Sequence, residues 1–337
     1  MRRSKIAGIG SYVPDRVITN EDLKQWMDTT DEWIQERTGI RERRWVPENG
    51  GVGSSDLGAE AARRALADAG VEPKDVQMVV FATLSPDHVF PGTGCKMQPK
   101  LGIPVGAAVL DIRQQCTGFI YGLSIADQFI KTGMYDRILV VGAEVHSTGL
   151  DRSTRGRDVS VLFGDGGGAV VVTPSPSGDE SEILSTHLHA DGEHVSDLWL
   201  EYPSSMEHPQ CSPEKLAGGD RQYPKMKGRQ VFKHAVTRMA ESVFEALVRN
   251  GKNLADLKML IPHQANLRIN EYIARNVLGL DEAKVYNNIQ RYGNTTAASI
   301  PLALDECRRE GKVAKGDLVC FAAFGSGFTW GSALVRL

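Results

Sequence analysis

Two stretches of this chain, AEAARRALADAGVEPKDVQM at residues 59–78 and AESVFEALVRNGKNLADLKM at residues 240–259, match at seven of twenty positions when the sequence is shifted by 181 residues. Each reads as an amphipathic helix, a Gly that ends it, a short link containing an Asp, and the start of an apolar strand. Further on, FGDG at residues 163–166 and FGSG at residues 324–327 repeat in the same order. The two similarities together indicate two structural repeats, each about half the chain.

The segment 174–178 is rich in Pro, Ser and Gly, and we expect the boundary between the halves there. The predicted units are therefore residues 1–175 and 176–337. Strand-length apolar runs alternate with helix-patterned segments, which predicts an α/β fold with sheets covered on both faces. These runs are residues 78–83, 107–110, 138–143, 168–172, 259–261, 318–323 and 330–335. We expect ligand chemistry where the two halves meet.

Charge and composition exclude several classes of protein. The formal net charge is −3, so there is no global case for binding to nucleic acid or to an anionic membrane. The five cysteines are widely spaced and form no CxxC pair, which argues against a disulfide framework and against a zinc site. The apolar stretch 6–13 is too short and interrupted for a signal peptide, and no run approaches a membrane span. We therefore expect a cytoplasmic protein without a metal.

Cys116 stands between an apolar strand-like run and a long apolar helix, in the sequence AAVLDIRQQCTGFIYGL at residues 107–123. A thiol at a helix N-terminus faces unpaired backbone N–H groups and the positive end of the helix dipole, which favours a thiolate at neutral pH. Cys116 is thus a candidate nucleophile, with a buried structural cysteine as the alternative.

Three segments of the second half could act together with such a nucleophile. His263 follows the strand-like run 259–261, and strand ends are where open α/β sheets place ligands. Asn294 precedes a run of small residues that allows close helix packing, and the glycines of the loop 324–331 leave backbone N–H groups accessible. Alternatively, His263 is an ordinary core or surface histidine and Asn294 a simple N-cap.

In combination these segments resemble the ketoacyl-acyl-carrier-protein synthase III family of the thiolase superfamily. The resemblance extends over essentially the whole chain. It rests on the Cys116 turn and on TDEWIQERTGI at 30–40, FGDGGGA at 163–169, HQANLR at 263–268, GNTTAAS at 293–299 and GFTWGSAL at 327–334. It implies a thiolase-like fold in which the duplicated halves form a five-layered αβαβα core.

The resemblance also implies a decarboxylative Claisen condensation. Cys116 would take the acyl group of an acyl-CoA, and a malonyl group on acyl carrier protein would then lose CO2 and attack the acyl-cysteine. His263 and Asn294 would donate hydrogen bonds to the enolate, while the backbone N–H groups of Cys116 and Ser326 would form the oxyanion hole. No cofactor is implied beyond the CoA thioester itself, which is a substrate.

Further residues acquire expected roles by the same carry-over. Trp33 and Arg155 would hold the CoA adenine between them, with Arg37 at the phosphates. Phe90 would close the acyl pocket from the partner subunit of a homodimer, and Phe324 would line that pocket. Asn266 would support the site around His263. A basic surface would receive the acidic carrier protein, formed by Lys225, Lys227, Arg229, Lys233 and Arg268.

Some residues depart from the family pattern, and they leave alternatives open. Arg113-Gln114-Gln115 precedes the cysteine, where members that prime from acetyl-CoA usually have small residues. A divergent member using longer or unusual acyl-CoA, or a different acceptor, is therefore the alternative, as is a non-condensing acyl shuttle. A thiolase would need a second cysteine in the terminal glycine loop, and an elongating ketoacyl synthase would have a histidine where Asn294 stands. Plant-type polyketide synthases share Cys-His-Asn but are usually longer.

Overall fold

A computed structural model describes residues 2–217 and 219–337. Its strands are β1 (Ser4–Tyr12), β2 (Val17–Thr19), β3 (Glu42–Arg44), β4 (Met78–Ala82), β5 (Ala108–Ile112), β6 (Ile138–Glu144), β7 (Gly166–Pro174), β8 (Glu182–Ala190), β9 (Leu198–Trp199), β10 (Lys225–Met226), β11 (Met259–Pro262), β12 (Leu318–Gly325) and β13 (Thr329–Arg336). Its α-helices are α1 (Asn20–Leu23), α2 (Asp31–Thr38), α3 (Ser54–Ala69), α4 (Thr93–Leu101), α5 (Gly118–Thr132), α6 (Arg157–Ser160), α7 (Pro213–Leu216), α8 (Gly228–Arg249), α9 (Leu267–Tyr272), α10 (Ile289–Tyr292) and α11 (Ser299–Arg309).

Two sheets carry the duplication seen in the sequence. Sheet A has the strand order β1-β7-β6-β4-β5, and sheet B has the order β8-β13-β12-β11. Strands β4 and β6 are parallel, as are β11 and β12, while the pairs β6–β7, β1–β7, β12–β13 and β8–β13 are antiparallel. The four strands of sheet B therefore repeat four of the strands of sheet A in order and direction.

Helices cover both sheets and also separate them. Helix α3 packs on β1, β6 and β7, and α8 packs on β8, β12 and β13. Helix α5 contacts strands of both sheets, and α11 contacts β1 and β7 on one side and β11 on the other. The largest apolar cluster accordingly joins the two sheets through these central helices. The layers run αβαβα, and the predicted thiolase-like, five-layered fold is confirmed.

Each of the seven predicted strand runs overlaps an observed strand. In the first copy of the repeat, α3 ends at Gly70 in the left-handed conformation (φ 63°) before β4. In the second copy, Asn250 is the C-cap of α8, and the next residue, Gly251, has φ 62° before β11. The two glycines thus end equivalent helices, as the repeat predicts.

The strands of sheet A all lie within residues 4–174, and those of sheet B within residues 182–336. This separation supports the division at residue 175, which stays a proposal because α11 of the second half packs on sheet A. None of the helices in the described ranges is long and apolar enough to cross a membrane.

Candidate active site

Cys116 lies in a 3-10 turn, Gln115–Thr117, that joins β5 to the N-terminus of α5. The preceding Gln115 adopts a left-handed backbone (φ 42°), so the chain bends sharply at the cysteine. Gly325, the last residue of β12, approaches it from the other half. A Cβ on Gly325 would lie 2.6 Å from the Cys116 Cβ, so only glycine fits there.

The protonation state of Cys116 differs from the sequence-based expectation of a thiolate. Burial raises the pKa of its thiol to about 12, and the carboxylate of Glu144 acts in the same direction. The backbone N–H groups of Cys116 and Ser326 lower that pKa because they face the sulfur. Desolvation outweighs the helix N-terminus here, so the resting residue is a thiol.

Glu144 ends β6 and is fully buried. Its carboxylate accepts hydrogen bonds from the Thr83 hydroxyl at 3.0 Å, from the Ser85 hydroxyl at 2.6 Å, and from the backbone N–H groups of Leu84 and Ser85. Burial nevertheless raises the pKa of Glu144 to about 7. This carboxyl titrates near neutrality, and its negative charge raises the pKa of the Cys116 thiol.

His263 follows β11 and is 1% exposed. Its Nδ1 lies 2.7 Å from Ser299 Oγ, which also accepts the Gln264 N–H. Because Ser299 accepts that amide, its own hydrogen can go to Nδ1, which leaves the proton of a neutral ring on Nε2. Burial lowers the pKa of His263 to about 3, so the ring is neutral. Its Nε2 is buried and has no hydrogen-bond partner in the described part of the chain.

Asn294 is buried, and the first half of the chain fixes its backbone. Its N–H donates to the Leu162 carbonyl at 2.7 Å, and its carbonyl accepts the Gly164 N–H at 3.1 Å. The side-chain Oδ1 accepts the N–H of Thr296 at 2.8 Å. The oxygen of the carboxamide is thus engaged by the protein, and the NH2 group is the end left to donate.

One cavity of about 150 Å³ brings these groups together. Cys116, His263, Asn294, Asn266 and Phe324 all line it, together with Gly325. A thiol, two neutral hydrogen-bond donors and two backbone N–H groups thus converge in an enclosed space with mostly apolar walls. Such a set can form a covalent thioester and stabilise negative charge on oxygen.

Comparison with known proteins identifies the family. Profiles described as "3-Oxoacyl-[acyl-carrier-protein (ACP)] synthase III" and its C-terminal part match residues 110–192 and 247–337. The beta-ketoacyl-[acyl-carrier-protein] synthase III of Rhodospirillum rubrum is 48% identical, with 100% of each chain covered. The chain belongs to the 3-oxoacyl-acyl-carrier-protein synthase III family.

Solved structures of synthase III enzymes and their relatives have the same fold. The 3-oxoacyl-[acyl-carrier-protein] synthase III of Aquifex aeolicus is 42% identical, with a TM-score of 0.89 over 99% of this chain and all of that one. The priming beta-ketosynthase of the R1128 polyketide pathway is 34% identical, with a TM-score of 0.87 over 99% and 97%. Both are similar to this synthase III family member along its whole length.

The residues predicted to bind CoA lie outside this cavity, on the surface. Arg37 stacks on Trp33 with its guanidinium 4.4 Å from the ring centre, and Arg157 does so at 4.8 Å. Arg155 instead pairs with Asp151 at 2.7 Å. In this synthase III chain, therefore, Arg157 lies over Trp33, and Arg155 does not. The pairing of Trp33 with Arg155 around the CoA adenine stays a prediction.

The predicted carrier-docking residues fall into two groups. Lys225 pairs with Glu201 and Asp220, and Lys227 pairs with Asp197, so both charges are balanced locally. The others are exposed: Arg229, Lys233 and Arg268. Lys225 and Lys227 therefore contribute less net positive charge to this surface than the sequence suggested.

Of two further predicted residues, Asn266 lines the cavity and Phe90 does not. Phe90 is 84% exposed and does not line the cavity. Asn266 does line it, and its side chain accepts the Arg268 N–H as the cap of α9 and donates to the carbonyl of Arg37. Asn266 thereby ties the loop after His263 to α2.

The sequence did not predict most of the residues that line the cavity. These include Leu162, Phe163, Leu198, Met226, Val231, Phe232, Ala235, Met239, Ile269 and Asn270. Four of these residues share one face of α8, and the spacing 231, 235, 239 was the available signal. The Oδ1 atom of Asn270 is buried without a partner among the described residues. The others come from separate segments, and no local pattern connects them.

Proposed function

We propose that this protein condenses an acyl-CoA primer with malonyl-acyl-carrier-protein, releasing CO2 and forming a 3-oxoacyl-acyl-carrier-protein, which initiates fatty acid synthesis. The observation that carries the proposal is the convergence of Cys116, His263 and Asn294 in one cavity of a synthase III family member. The reaction requires no metal and no cofactor, because the substrate thioesters supply the activated carbonyl and the latent enolate.

The first half-reaction transfers the acyl group to sulfur. Cys116 Sγ attacks the thioester carbonyl, and the negative charge develops on an oxygen that the N–H groups of Cys116 and Ser326 can reach. The carbon–sulfur bond to coenzyme A breaks, and the thiol proton of Cys116 leaves with the coenzyme A sulfur. Because the resting residue is a thiol, this proton transfer is part of the acylation step.

The second half-reaction forms the carbon–carbon bond. The malonyl thioester loses CO2, and the electron pair moves into an enolate whose oxygen meets His263 Nε2–H and the Asn294 NH2. The enolate carbon attacks the acyl-cysteine, and Cys116 leaves as a thiolate that takes a proton from solvent. Each neutral donor stabilises the charged oxygen by about 3 kcal/mol in a dry site.

Residues on the surface around the cavity would bind the two substrates. We assign the CoA nucleotide to Trp33, Arg37 and Arg155, because arginines and an aromatic ring suit an adenine with phosphates. The acidic carrier protein would dock on Lys233 and Arg268, joined by Arg229 and the paired lysines Lys225 and Lys227. We place the enzyme in the cytoplasm, where these substrates are made.

A homodimer completes the proposed acyl pocket. Strand β5 lies at an edge of sheet A, and among the described residues it pairs only with β4. Leu110 on this strand is exposed, as is Phe90 on a nearby turn. Such an edge is a surface for pairing with another strand. Pairing β5 with β5 of a second copy would carry Phe90 toward the partner's pocket, whose wall Phe324 lines.

A second candidate differs in the primer. Arg113, Gln114 and Gln115 stand directly before the nucleophile, and Gln115 has the left-handed backbone described above. Because family members that prime from acetyl-CoA usually have small residues here, this departure makes a longer or unusual acyl group, or another acceptor, the second candidate, with the same chemistry. A non-condensing acyl shuttle is disfavoured because Cys116, His263 and Asn294 are all present.

The test is intact-protein mass spectrometry after incubation with acyl-CoAs from acetyl to dodecanoyl, followed by malonyl-acyl-carrier-protein. We expect one acyl adduct, its loss on addition of the malonyl carrier, and a 3-oxoacyl carrier product. The control variant Cys116→Ser should carry no adduct. An acetyl adduct supports initiation of fatty acid synthesis, and a longer one supports the second candidate. An adduct retained in Cys116→Ser would place the nucleophile elsewhere.

A further inference from the structure

His146 is a buried histidine next to the proposed site, and the reaction outlined above gives it no role. It follows β6 and is 7% exposed. Its backbone N–H donates to Asp165 Oδ1 at 2.7 Å, and the N–H and hydroxyl of Ser147 donate to the same carboxyl group. The segment that carries the imidazole is therefore held firmly by the FGDG loop.

The imidazole itself contacts two groups of the site. Its Nε2 lies 2.6 Å from Thr296 Oγ1, and its ring centre lies 4.6 Å from that of Phe163, which lines the cavity. Burial and the neighbouring His263 lower the pKa of His146 to about 3, so the ring is neutral. It therefore acts as a hydrogen-bonding and packing group and adds no charge to the cavity.

Thr296 occupies an unusual backbone conformation. Its φ is 51°, a left-handed value that is a true outlier for a β-branched residue. Such a residue persists only where the surroundings hold it. Two hydrogen bonds do so here, one from its N–H to Asn294 Oδ1 and one between its hydroxyl and His146.

These contacts form one chain from His146 through Thr296 to Asn294. Because Thr296 N–H holds the oxygen of the Asn294 carboxamide, the NH2 group is the end that remains to face the substrate. If Thr296 relaxed to a negative φ, its N–H would turn away, and the carboxamide could rotate. The orientation of Asn294 thus depends on a hydroxyl whose partner is 150 residues away.

We propose that His146 is a positioning residue that holds Thr296 in its left-handed conformation and thereby points the Asn294 NH2 group at the enolate oxygen. The inference rests on the proposed function, since it assigns Asn294 to the condensation half-reaction. It predicts that His146 matters for carbon–carbon bond formation and not for acylation of Cys116.

The test compares His146→Leu with His146→Gln. Leucine fills a similar volume without a polar atom, whereas the glutamine amide can reach Thr296 in place of the imidazole Nε2. We expect His146→Leu to slow condensation by about tenfold, the loss that one hydrogen bond explains. Acyl-enzyme formation should stay within twofold of the wild type (about 0.4 kcal/mol). His146→Gln should recover most of the condensation rate.

Thr296→Val supplies a second, independent arm because it removes the hydroxyl and keeps the branched shape. It should slow condensation as His146→Leu does, and the double variant should be no slower than either single one. Equal rates for His146→Gln and His146→Leu, additive losses in the double variant, or an equal loss in both half-reactions would each overturn the inference. If the wild type itself forms an acyl-enzyme but no 3-oxoacyl product, the proposed function fails instead.

Discussion

At the scale of single residues, the role proposed for Asn294 predicts different effects on the two half-reactions. We expect Asn294→Ala to leave acylation of Cys116 unchanged, because the oxyanion of that step meets backbone N–H groups. Condensation should fall about a hundredfold or more, since the enolate loses a donor in a dry site. Rapid-quench measurement of acyl-enzyme formation, and of product release from pre-acylated enzyme, distinguishes the two. An equal loss in both steps would contradict this division.

The position of Glu144 predicts how the reactivity of the Cys116 thiol depends on pH. Its negative charge raises the pKa of the Cys116 thiol, so Glu144→Gln should lower that pKa and increase the thiolate fraction at any given pH. In the wild type, alkylation of Cys116 by iodoacetamide should rise up to pH 9 without a plateau. At pH 8 the variant should react faster, with Cys116→Ser as the blank. A wild-type plateau near pH 7 would show that the thiol is already acidic.

At the scale of secondary structure, the end of β12 packs very closely on the turn that carries Cys116. Substitution of Gly325 tests this contact. A Cβ there meets Cys116 in the turn before α5, so we expect Gly325→Ala to displace the sulfur and reduce acylation at least a hundredfold, a barrier increase of roughly 3 kcal/mol. The measurement is the rate of adduct formation. Gly149→Ala is the matched control, because its added Cβ meets open space. Similar rates in both variants would show that this contact is not restrictive.

The strands of sheet A show which secondary structure can be predicted from the sequence and which cannot. Runs such as β4 and β6 are buried along their whole length, so their apolar residues are continuous and the strands were predictable. Strand β1 was missed because glycines interrupt it. Gly8 and Gly10 lie against α3, where a Cβ would meet helix backbone atoms at 2.4 Å. Packing with a distant helix, not local propensity, determines those positions.

The site residues differ in the same way. Cys116, His263 and Asn294 lie in short motifs that can be recognised locally, and all three line the cavity. The contact between His146 and Thr296 joins segments far apart in the chain, and neither segment alone predicts it. The arginine over Trp33 was likewise set by the path of a loop, which the sequence pattern does not specify.

On the scale of the whole molecule, the exposed edge of sheet A predicts a homodimer. We expect light scattering to show a dimer for the wild type and a shift toward monomer for Leu110→Lys, because a charge on β5 opposes strand pairing. Val248→Lys is the control, since Val248 is 73% exposed on α8. A wild-type monomer, or equal behaviour of the two variants, would contradict pairing through β5.

The approach of the loop containing Gly325 and Ser326 to Cys116 has a consequence for biosynthesis. Translation produces Cys116 early and Ser326, whose N–H completes the proposed oxyanion hole, 210 residues later. Until residue 326 has been synthesised and sheet B has folded, Cys116 has neither the Ser326 N–H nor His263 beside it. The proposed oxyanion hole is therefore complete only once sheet B has folded against the central helices, late in the synthesis of the chain.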